Sequence, residues 1–108
     1  MPHFSQAAGA VVAADTRNTF SAFDAALLST SRMVVSMLEG SQDSGLAPAH
    51  SQRVLNAVAA GFEKTVQGRN EIVKAHRHLL AIQGISNLQA TDFGCLERGS
   101  ATAIPVHA

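Results

Sequence analysis

His76 and His78 stand two residues apart in EIVKAHRHLLAIQGI, residues 71–85, among aliphatic side chains and positive charge. Two imidazoles so close in sequence raise the question of a metal ion or a proton relay. Helical spacing answers against a shared ion, because two residues turn through about 200° and both rings cannot face one ligand. On a helical wheel His76 falls inside the apolar stripe, between Ile72, Val73, Leu79 and Leu80. His78 falls on the polar side with Glu71 and Lys74. His76 therefore reads as an odd core residue and His78 as a solvated one.

The other groups capable of chemistry are scattered. Zinc takes three or four ligands from Cys, His and carboxylates. The candidates here are His3, His50, His76, His78, His107 and Cys95, with no CxxC, HExxH or ExxH among them. Glu71 and His76 are five apart, on different helix faces, which is not the helical di-iron spacing. Cys95 follows Gly94 with no local group to depress its pKa, so it reads as an inert thiol. Asp92-Phe93-Gly94 matches a kinase tripeptide, but no Gly-rich loop, strand lysine or HRD accompanies it. No phosphate-binding glycine motif is present. Neither an enzyme nor a cofactor is expected.

One constellation is more specific. Thr65, Arg69 and His76 lie in the apolar stripe of one helical segment, and Asp24 interrupts the apolar face of another. An unpaired buried arginine is costly, so it calls for a partner. Folding the two segments about the turn near residues 39–50 brings Asp24 close to Thr65 and within a turn of Arg69. Asp24, Thr65, Arg69 and His76 are thus expected to form a buried polar layer that fixes register, or else a ligand pocket.

The elements that would position these residues are two helices. The stretch EGSQDSGLAPAHS, residues 39–51, separates two segments of helical period, and no strand-like alternation appears. The first helix is expected over about 15–39, with the Ala-rich stretch 5–14 able to extend it and Gly40 ending it. Phe20, Phe23, Leu27, Leu28, Val34, Val35 and Leu38 share one broad face. A second strip, Ala22, Ala26, Met33 and Met37, falls on the far side. The second helix is expected over about 48–83, with Pro48 in its first turn and Gly84 as its stop. Its apolar face holds Val54, Leu55, Val58, Phe62, Val66, Ile72, Val73, Leu79 and Leu80. Gly61 and Gly68 at its edge imply either close approach of a neighbour or a break. Residues 85–108 lose the period and read as a tail.

The chain is thus expected to be all-α: an antiparallel hairpin over residues 1–84 with a less ordered C-terminal tail. Two helices enclose little, and the aromatic content is only five Phe, with no Trp or Tyr. Dimerisation into a four-helix bundle is therefore expected, with Ala22, Ala26, Met33 and Met37 at the oligomer interface.

Charge narrows the partners. Residues 1–48 carry two arginines against four acids, a net of −2; residues 49–78 carry five cations against two acids, a net of +3. With zero net charge overall, nucleic acid is not expected as a partner. No stretch approaches the ~18 apolar residues of a membrane span. The start lacks a basic leader segment and a single Cys suits a reducing compartment, so a cytoplasmic protein is expected. The function these features favour is a small interaction or regulatory module acting through protein–protein packing, partnered by itself and by another protein. The second reading is an amphipathic coat on a granule or membrane surface, in the manner of a phasin.

Overall fold

A computed structural model describes residues 3–86 as two helices, α1 (Gln6–Ser44) and α2 (Pro48–Gly84), forming a helical hairpin. Residues 87–108, with Cys95, His107 and most of the expected tail, lie outside the described residues.

Local chemistry explains each helix end. The Ser5 hydroxyl accepts a 3.0 Å hydrogen bond from the Ala8 amide, capping the start of α1. At the other end, Gly45 adopts φ 66°. The Leu46 amide donates to the Ser41 carbonyl at 3.2 Å and the Gly45 amide donates to the Gln42 carbonyl at 3.4 Å. This crossed pair closes a helix through a left-handed residue, which glycine adopts without steric cost. Gly40 does not end α1, contrary to expectation. Its backbone stays helical, and the sequence offers no left-handed stop until Gly45. The turn is therefore shorter than the expected 40–48. Ala47 and Pro48 then open α2, the Ala47 carbonyl accepting from the His50 amide at 3.0 Å.

The chain divides into two compact units, one at the turn end and one holding the chain's terminal stretches. In the turn-end unit, Phe20–Ile72, the shielded positions of α1 are Phe20, Phe23, Leu27, Thr30, Val34, Met37 and Ser41. On α2 they include Ser51, Leu55, Val58, Thr65, Arg69 and Ile72. The steps along α1 alternate between three and four, an average of 3.5 residues, and those along α2 fit the same repeat with Phe62 at its missing place. Each helix thus turns one narrow seam toward its neighbour. The seam passes Gly68, where an added Cβ would lie 3.4 Å from the Phe23 ring. Gly68 therefore answers to close approach. Gly61 does not: an added Cβ there meets nothing within 4 Å, and α2 runs through it unbroken.

The terminal unit has the same spacing with different chemistry. Its shielded positions are Gly9, Val12, Ala13, Ala14, Thr16 and Thr19 on α1, Val73, His76, Leu79, Leu80 and Gln83 on α2, and Ser86 just beyond α2. Thr16 donates to the Val12 carbonyl at 2.7 Å and Ser86 to the Gln83 carbonyl at 3.1 Å, so both hydroxyls are satisfied within their own segment.

Two glycine substitutions test this account by thermal or denaturant unfolding. Gly61→Ala should stabilise by up to about 1 kcal/mol, the helix-propensity difference in open space. Gly45→Ala should destabilise by about 1–2 kcal/mol, because the side chain clashes in the left-handed region.

Candidate functional site

Asp24 and Arg69 meet. Arg69 Nε donates to Asp24 Oδ1 at 2.8 Å, across the two helices of the turn-end unit. The guanidinium carbon also lies 5.2 Å from the centre of the Phe20 ring, within cation–π range. Phe20 is one of two buried apolar residues among those described, the other being Ala13 in the terminal unit. Arg69 thus spans from a buried aromatic ring to an acidic group at the edge.

The expected buried layer is corrected in two respects. The Asp24 side chain is 54% exposed and that of Arg69 is 32% exposed, so the ion pair is solvated. The reason is geometric: a seam between two helices has water on both flanks, and Asp24 sits on a flank. Thr65 does not join the pair, because its hydroxyl donates back to the Gly61 carbonyl at 2.9 Å. His76 belongs to the terminal unit, where it is 7% exposed, while His78 is exposed. The two histidines therefore have opposite environments. Among the described residues no buried side-chain nitrogen or oxygen lacks a hydrogen-bond partner. No three His, Cys, Asp or Glu among them come together as a metal site.

The expected interface residues also have definite places. Ala22, Ala26 and Met33 are exposed, whereas Met37 is half-buried on the hairpin seam rather than on the far side of the helix. The broad apolar face expected for α1 is split. Phe20, Phe23, Leu27 and Val34 turn inward or lie half-buried, but Leu28 and Val35 are each 56% exposed and Leu38 is exposed beside them. Spaced seven and three apart, these three form an apolar stripe next to the seam.

That flank opens into a groove of about 720 Å³ in the turn-end unit. Its apolar wall consists of Val34 from α1 and Leu55, Val58, Ala59, Phe62 and Val66 from α2. Ser31, Gln52, Asn56 and Glu63 supply the polar part. These polar groups already have partners. Ser31 donates to the Leu27 carbonyl at 2.9 Å, Gln52 donates to Asn56 at 2.8 Å, and Glu63 accepts from Gln67 at 3.4 Å. The larger gain on covering this surface is the apolar area of exposed Phe62 and Val66. The sequence carried the signal for this groove in the spacing of Leu28, Ser31, Val35 and Leu38, which follows a second 3.5-residue line beside the first. A wheel drawn at 100° per residue blurs the two lines into one face.

Among the described residues no helix is long and apolar enough to cross a membrane. Comparison with protein-family models, with curated proteins and with solved structures finds no match.

A double-mutant cycle tests the ion pair. Because the pair is solvated, Asp24→Asn should cost no more than about 1 kcal/mol. Arg69→Ala should cost more, since it also removes the cation–π contact, itself worth about 0.5–1 kcal/mol at an exposed site. The two losses should be non-additive in denaturant unfolding, with strict additivity showing that the contact carries no energy. In the same assay His76→Ala should destabilise and His78→Ala should be nearly silent, within about 0.5 kcal/mol.

Proposed function

We propose that this chain is a non-enzymatic helical interaction module, a coiled-coil hairpin whose function is to pack against other helices. The supporting observation is the open groove of the turn-end unit, with Phe62 and Val66 exposed in it and Leu28, Val35 and Leu38 exposed beside it. Only Phe20 is a buried apolar residue in that unit. An isolated hairpin of this kind gains little from burial, at about 25 cal/mol per Å² of apolar surface. Covering the groove adds the missing core, because paired hairpins enclose what one seam leaves open.

The chemistry of the groove favours helices over small molecules. It is long, shallow and mostly apolar, with Phe62 among its aliphatic side chains, and Ser31 and Gln52 have local hydrogen-bond partners. Heptad-spaced apolar residues of a partner helix fit such a surface as knobs between its side chains. The cysteine-free stretch from residue 3 to 86 also allows the groove to be labelled cleanly.

A solvatochromic probe attached at Val66→Cys, in a Cys95→Ser background, tests the reading. The probe should report an apolar, water-poor setting in the purified protein, in a lysate of its native cell, or in both. A probe that remains in water under both conditions shows that nothing packs on the groove and overturns the proposal. The same label at the exposed Lys74 position serves as the solvated reference.

A further inference from the structure

We draw no further inference here: the strongest candidate, the apolar groove of the turn-end unit lined by Val34, Leu55, Phe62 and Val66, belongs to the site already described, and nothing in the structure shows which molecule covers it.

Discussion

Two helices joined by a short turn touch along one line, and most of this structure follows from that constraint. A helix in contact with a single neighbour offers it only the positions that recur every 3.5 residues. In the turn-end unit the positions of α1 from Phe20 to Ser41 meet this repeat, as do those of α2 from Ser51 to Ile72. Every other apolar residue is left on a flank. That is why Leu28, Val35, Phe62 and Val66 are exposed in a chain whose composition is 46% hydrophobic. The hydroxyls of Thr30, Ser31 and Thr65 meet the same constraint in another way, by folding back onto the carbonyl four residues earlier. With water on both flanks, local satisfaction is cheaper for them than a bond across the seam.

The hairpin and the meeting of Asp24 with Arg69 were legible in the sequence because both depend on where the turn lies. Gly- and Ser-rich punctuation locates a turn, and antiparallel pairing then sets which residues stand opposite. What was not legible depends on details that composition does not encode. Gly40 and Gly45 are both plausible stops, but only Gly45 takes the left-handed conformation and closes the two crossed hydrogen bonds. The solvation of Asp24 was misjudged because a wheel gives a direction around one helix, not the depth of what covers it. A residue on the apolar side of a helix is buried only if a third element lies over it. The placement of Met37 shows the same limit: it stands seven residues past Thr30 and fourteen past Phe23, on the 3.5-residue line of the seam, and a 3.6-residue wheel groups it instead with Ala22, Ala26 and Met33.

The two units solve the same geometric problem with unlike side chains. The turn-end seam uses Phe20, Phe23, Leu27, Val34, Leu55 and Val58, with Arg69 laid across the Phe20 ring. The terminal seam shields Gly9, Val12, Ala13 and Thr16 on one helix and Val73, His76, Leu79, Leu80 and Gln83 on the other, with Ser86 just beyond it. Gly9, Thr16, Gln83 and Ser86 bury little apolar area, so their part of that seam adds little beyond hydrogen bonds that are already nearly balanced by water in the unfolded chain. Local opening is expected to be easiest where apolar contacts are fewest. The unit that contains Phe20, Phe23 and Phe62 is the part that holds the groove. A docking surface gains from being formed before contact, because ordering a loose hairpin at the moment of contact would subtract from affinity.

Apolar surface and charge then divide the work of recognition. Aliphatic side chains attract any apolar surface and specify neither partner nor direction. A groove lined by Val34, Leu55, Val58 and Val66 alone would accept a neighbour in several registers and in both orientations. Charged residues on the rim remove that degeneracy, since a misaligned neighbour places like charges together and leaves others without partners. The cost to stability is small while the charges stay hydrated, which is the situation of Arg32, Glu39 and Arg53, all exposed. A chain with zero net charge can still carry such instructions, provided that its charges are segregated. Here they are segregated by helix, acidic on α1 and basic on α2, and the Asp24–Arg69 bond already pairs one charge of each sign within the chain.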